Sequence, residues 1–158
     1  MHLQDLTAFL ITWRTYGTWL PGDQRGWVDE RRNGQGEPMH GADHRLEIAA
    51  KGQMKAAPVT LTESQRKVVD DALRSVCAEK AWTLHAINVR TNHVHVVVST
   101  DASPERTQLA LKAGATRVLR ERGLMPADDV VWARGGSQRR LPTESALWGA
   151  VDYVRNRQ

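Results

Sequence analysis

Apolar positions repeat with two different periods along this chain, and the changes of period mark its elements. Residues 7–13 (TAFLITW) are β-branched, aromatic and apolar in a row, which predicts a buried strand ending near Tyr16-Gly17. From Thr62 the period is helical. Thr62 and Gln65 match a capping box, and Val69, Leu73 and Val76 follow on one stripe with Ala72 and Cys77 beside it. That helix is predicted to end near Ala81. Residues 82–89 (WTLHAINV) and 93–100 (HVHVVVST) read as two strands joined by a tight connection at Arg90-Thr91-Asn92. Ser103-Pro104-Glu105 supplies an N-cap, a proline at the first helical position and an acid in the first turn. The helix it opens runs to about Arg122 and stops at Gly123. VVWAR (130–134) reads as a fourth strand and Gly135-Gly136-Ser137 as a loop. Thr143 caps a last helix over 144–157, with Leu147, Val151 and Val154 on its apolar face.

Residues 20–58 follow neither period. Pro21, Gly22, Gly26, Gly34, Gly36, Pro38, Gly41, Gly52 and Pro58 break any regular element. Too little chain precedes this stretch to fold alone, so 22–58 reads as an insertion loop within a single domain spanning 1–158. The order β, insertion, α, β, β, α, β, α contains the split βαβ arrangement. The predicted fold is therefore α+β: a ferredoxin-like sheet with helices on one face, a C-terminal helix carrying Tyr153, and a glycine-rich insertion after strand 1.

Composition narrows the function. A chain of 158 residues, 41% hydrophobic and 25% charged, suits one globular domain. No apolar run approaches the ~20 residues of a membrane span, and MHLQDLTAFLITW lacks the features of a secretory signal. The single Cys77 excludes an intramolecular disulfide and any multi-cysteine zinc site. A cytoplasmic location is expected. The net charge is +4, and residues 131–158 hold five basic and two acidic residues, so most of the excess lies at the C-terminal end. All five are arginine, whose planar fork suits phosphate. A basic face there fits a polyanion such as nucleic acid, and the plainer alternative is a solvated surface.

Three constellations could carry chemistry. In His93-Val94-His95, strand alternation puts His93, His95, Val97 and Ser99 on one face and Val94, Val96 and Val98 on the other, which must be the core. Histidines two apart on a strand lie about 6.6–6.8 Å apart at Cα and can converge on one divalent ion. The alternative is two half-exposed strand histidines. The second is Tyr153. The chain has only two tyrosines, and Tyr16 sits in a turn beside glycine, whereas Tyr153 is offset from the apolar stripe of the last helix. The alternative is a tyrosine at the edge of that stripe. The third is Asn156-Arg157-Gln158, which offers amide oxygens to a metal and guanidinium to phosphate, or is a polar helix terminus. His40 and His44 share ligand spacing, but in a stretch with no evident rigid frame. No phosphate-binding P-loop, dinucleotide fingerprint or serine-hydrolase elbow is present.

Three segments together resemble the HUH-type single-tyrosine transposases of bacterial insertion sequences, in particular the REP-associated tyrosine transposases. They are NHVHVVV (92–98), VWARGGSQRRLPTESALWGAVDYVRNRQ (131–158) and ITWRTYGTWLPGDQRGWV (11–28). The resemblance implies a ferredoxin-like fold and a divalent metal, Mg2+ or Mn2+, on His93, His95 and a third polar side chain near the tyrosine. The family's YVxxxQ pattern points to Gln158 as that ligand. Helical geometry favours Asn156, about 60° from Tyr153 against about 140° for Gln158. The resemblance further implies metal-dependent nicking and rejoining of single-stranded or hairpin DNA through a 5′-phosphotyrosine at Tyr153. Arg134, Arg139, Arg140, Arg155 and Arg157 would hold the DNA backbone, in a monomer or homodimer, with no nucleotide cofactor and no membrane. Two rivals share these residues: a non-catalytic hairpin-binding module on the same fold, and a metal-dependent phosphoesterase using water as nucleophile.

Overall fold

In the computed structural model, residues 6–18 and 58–156 are described. The first apolar run forms β1 (Thr7–Arg14), and its buried positions alternate, with Phe9, Ile11 and Trp13 turned to one side. The helix α1 (Glu63–Glu79) begins at the expected capping box, in which the Thr62 hydroxyl accepts from Gln65 N and the Gln65 side chain accepts from Thr62 N. β2 (Thr83–Val89) and β3 (His93–Thr100) follow, then α2 (Pro104–Glu121), capped by Ser103 with proline at its start. A short strand β4 (Ser137–Arg140) and a helix α3 (Glu144–Asn156) complete the described order.

The sheet is antiparallel with strand order β2-β3-β1-β4. This is the predicted split βαβ arrangement: each of α1 and α2 leads from a central strand to the edge strand on its far side. β1 and β3 occupy the centre, and their pairing aligns Thr12 with His95 and Arg14 with His93. The two faces bury different cores. Val94, Val96 and Val98 join Phe9, Ile11 and Trp13 against Val69, Leu73 and Val76 of α1 and Leu111, Ala115 and Leu119 of α2. On the other face, Val97 and Ala86 pack with Leu141 and with Ala150, Val151 and Val154 of α3. The valine face of β3 is thus the main core, as its alternation requires. α3 closes the opposite face, the one that carries the histidines. Among the described helices, none is long and apolar enough to cross a membrane.

The fourth strand is not where the apolar pattern puts it. Residues 130–134 make only an isolated bridge, Thr15 to Trp132, with Tyr16 N donating to Val131 O and Ala133 N to Arg14 O. Val131 and Trp132 are apolar because they are buried in the main core, where Trp132 meets Trp13 edge-on at 5.9 Å. The ladder instead continues in the polar SQRR, whose register runs from Thr12↔Ser137 to Phe9↔Arg140. Only Ser137 of this strand was assigned to the preceding loop, and Arg139 and Arg140 lie within the strand. Polar and charged residues at a sheet edge are compatible with pairing on one side and discourage it on the other. The insertion assigned to 22–58 lies outside the described residues, apart from Pro58.

Candidate active site on the histidine face

The site is assembled by β1 and β3 from below, α3 from above and β4 from the side. His95 is 7% exposed, and its Nδ1 shares a 2.9 Å hydrogen bond with the Thr12 hydroxyl, its cross-strand neighbour. His93 is half-buried, and its Nδ1 donates to Asn92 Oδ1 at 2.7 Å. The ring centroids lie 4.7 Å apart, nearly perpendicular. Both rings are thus oriented through Nδ1, the arrangement that leaves Nε2 as the ligating nitrogen of a metal-binding histidine. Asn92 is itself held in place, because its carbonyl accepts from Thr15 N at 3.0 Å. Burial, and then the charges of His93, Arg14 and Arg90, push the His95 pKa down to about 4. The imidazole is therefore neutral at physiological pH, the form in which histidine binds metal.

α3 brings Tyr153 to these rings. Two bonds from its C-terminal turn dock it on β2: Asn88 Nδ2 donates to Val154 O at 3.1 Å, and Arg155 Nη2 to His85 O at 3.2 Å. Ala150, Val151 and Val154 are buried beneath, while Tyr153 remains 44% exposed, its ring edge-on to His95 with centroids 6.0 Å apart. Leu10, Thr12, His95, Ser137, Arg139 and Tyr153 line a shared cleft of about 530 Å³.

The predicted site residues do not all converge. His93, His95, Tyr153 and Arg139 are brought together. Arg134 and Arg140 are exposed, and Arg155 is exposed with its bond to β2. Gln158 and Arg157 lie outside the described residues, as do His40 and His44. Asn156, the geometric alternative for a third ligand, donates to Asp152 Oδ1 at 2.9 Å. Among the described residues, no cluster of three His, Cys, Asp or Glu side chains forms, so the two histidines need an amide or solvent oxygen to complete a coordination sphere. Sequence reasoning missed Thr12 and Arg14. Their signal was present: in TAFLITWR they are polar residues on the strand face that alternation assigns to His95 and His93.

A solved REP-associated tyrosine transposase bound to a REP hairpin superposes on 94% of this chain with a TM-score of 0.53 and 12% identity. The chain has the fold of that transposase. It spans 64% of that protein's length. A protein from Deinococcus radiodurans R1, assigned as a transposase, aligns over 97% of this chain and 92% of its own, with a TM-score of 0.44 and 16% identity. No protein-family model and no curated protein sequence matches the chain.

Proposed function

We propose that this chain nicks and rejoins single-stranded DNA, with Tyr153 as nucleophile. The observation that carries the reading is the approach of the Tyr153 ring to the neutral His95 in one cleft. The fold shared with a hairpin-bound tyrosine transposase supports hairpin DNA as the substrate class. His93, His95 and Gln158 would hold a divalent ion, Mg2+ or Mn2+, which would supply Lewis-acid polarisation of the scissile phosphate. Tyr153 Oη attacks phosphorus and gives up its proton to solvent. The P–O3′ bond breaks, and the leaving oxygen takes up a proton as a free 3′-OH. The protein keeps a 5′-phosphotyrosine, so the phosphodiester's energy is conserved. A second strand's 3′-OH then attacks the same phosphorus, and the tyrosine oxygen leaves and regains its proton. Neither step consumes a nucleotide, consistent with the missing nucleotide-binding motifs. Arg134, Arg139, Arg140, Arg155 and Arg157 contribute the positive field that draws the strand in.

The test is incubation with end-labelled hairpin-bearing single-stranded DNA and Mn2+, read on a denaturing gel. The native chain is expected to form a protein–DNA adduct, and Tyr153→Phe to form none while still binding the hairpin. An adduct from Tyr153→Phe moves the nucleophile elsewhere. Cleavage by the native chain without an adduct indicates water as nucleophile. Hairpin binding with neither identifies a non-catalytic binding module.

A further inference from the structure

Five arginines fall in the last 28 residues, and the fold gives the described ones unequal positions. On β4, pairing of Leu10 with Arg139 and of Phe9 with Arg140 sets the two neighbours on opposite sides of the pleat. Leu10 packs with the α3-side core and Phe9 lies in the main core, so Arg139 belongs to the histidine face. Gln138 checks this assignment: it is on Arg140's side and donates to Gln108 of α2, beneath the main-core face, at 2.6 Å. Arg139 lines the cleft with His95 and Tyr153. Arg140 does not; it borders a separate cleft of about 420 Å³ with Thr7, Ser99 and Thr143.

The guanidinium of Arg139 has no side-chain hydrogen bond or ion pair among the described residues. Arg155, in contrast, is engaged with the His85 carbonyl. The strand that carries Arg139 is firmly held. Buried Gln108 donates to Gly135 O at 2.9 Å, and Lys112 Nζ donates to Gly135 O at 2.7 Å and to Ala133 O at 3.1 Å. Leu141 N then donates to Ala8 O at 2.9 Å, just beyond the strand. An unengaged guanidinium that lines the same cleft as Tyr153, carried on an anchored backbone, is free to take a phosphate.

Resting on the nicking reading above, we propose that Arg139 is a catalytic residue that binds the non-bridging oxygens of the reacting phosphate. Its two parallel N–H donors match two of those oxygens, and they gain negative charge as Tyr153 adds to phosphorus. Arg140 contacts only a flanking part of the strand. The two adjacent arginines therefore affect different kinetic quantities: Arg139 the chemical step, Arg140 the binding step.

The experiment measures single-turnover adduct formation at saturating hairpin DNA, together with hairpin affinity, for the native chain, Arg139→Gln, Arg139→Lys and Arg140→Gln. Arg139→Gln is expected to slow the saturated rate at least about 100-fold, the scale for loss of one preorganised donor. Arg139→Lys, which keeps the charge but not the fork, is expected to fall between. Arg140→Gln is expected to weaken affinity and leave the saturated rate within about twofold, since a lost phosphate contact outside the reacting centre is uniform binding. Both positions are exposed on an edge strand, and thermal melts identify any variant that has lost the fold. If the native chain forms an adduct and Arg139→Gln forms it at the same saturated rate, the catalytic role of Arg139 is refuted and the nicking reading survives. If Arg140→Gln slows the saturated rate as much as Arg139→Gln, the division of roles is refuted. A native chain that forms no adduct refutes both.

Discussion

The Thr12 hydroxyl lies 2.9 Å from His95 Nδ1, across the central strand pair of the sheet. This contact links the geometry of the sheet to the chemistry of the cleft. It orients an almost fully buried imidazole whose other nitrogen is the one a metal would take. The same register places Arg14 opposite His93.

Thr12→Val keeps the shape of the side chain and removes the hydroxyl. It leaves His95 Nδ1 without its partner, so the ring loses its fixed tautomer and orientation. Loss of such an outer partner costs about 10–100-fold in metal affinity or activity. The variant is expected to need more Mn2+ for half-maximal adduct formation, with a stability loss of about 1 kcal/mol. An unchanged Mn2+ requirement in a titration of the cleavage reaction would show that Thr12 does not orient a ligand.

Truncating the two histidines separates chemistry from packing. His95 is buried and hydrogen-bonded, whereas His93 is only half-buried. Both His93→Ala and His95→Ala are expected to lose metal-dependent cleavage. In urea unfolding, His95→Ala is expected to lose about 1–3 kcal/mol, including the cost of Thr12's lost partner, and His93→Ala less. The ligand assignment fails if either variant cleaves normally with metal.

Gly136 is a close-approach position. A Cβ there would sit 2.7 Å from Thr12 O and 2.5 Å from Gln108 Oε1. The Thr12 carbonyl is backbone and cannot swing aside, so Gly136→Ala must push β4 away from β1. A destabilisation of about 1–3 kcal/mol is expected, as for other overpacking changes, together with lower cleavage because Arg139 moves with the strand. A melting temperature equal to that of the native chain would show that β4 accommodates the methyl without shifting.

Lys112 predicts a rise of stability with pH. Burial pushes its pKa down to about 8 from 10.5, while its ammonium donates to the carbonyls of Ala133 and Gly135. Between pH 8 and 10.5 the unfolded chain holds this proton and the folded chain does not, so stability increases through that window. Below pH 8 both states are protonated and this contribution is flat. Cys77 acts in the opposite sense, because burial pushes its thiol up to about 11 and the folded chain keeps its proton longer. Subtracting the curve of Lys112→Met isolates the lysine. Denaturant unfolding at pH 7 to 10 should show the native chain gaining on this variant, and a constant difference would rule the effect out.

Alternation and capping determined much of this protein without its fold. The period-2 run HVHVVVST separates the histidines from the valine core, and the Thr62 and Ser103 caps start both crossover helices, because these signals depend on neighbours a few residues away. Tyr153 was legible too, as a tyrosine set off from the apolar stripe of the last helix. The position of the fourth strand was not. VVWAR looks like a strand because it is apolar, yet its apolarity serves burial against Trp13 rather than a ladder. SQRR carries no apolar strand pattern, yet its backbone pairs with β1, since hydrogen bonding at a sheet edge places no demand on side-chain polarity. Only the tertiary structure decided that α3 lies over the histidine face, that Thr12 reaches His95, and that Arg139 and Arg140 go to different clefts. The last two follow from the register of strands distant in sequence, and a shift of one residue in either would exchange the faces; the first follows from the packing of α3 on β2 and β3.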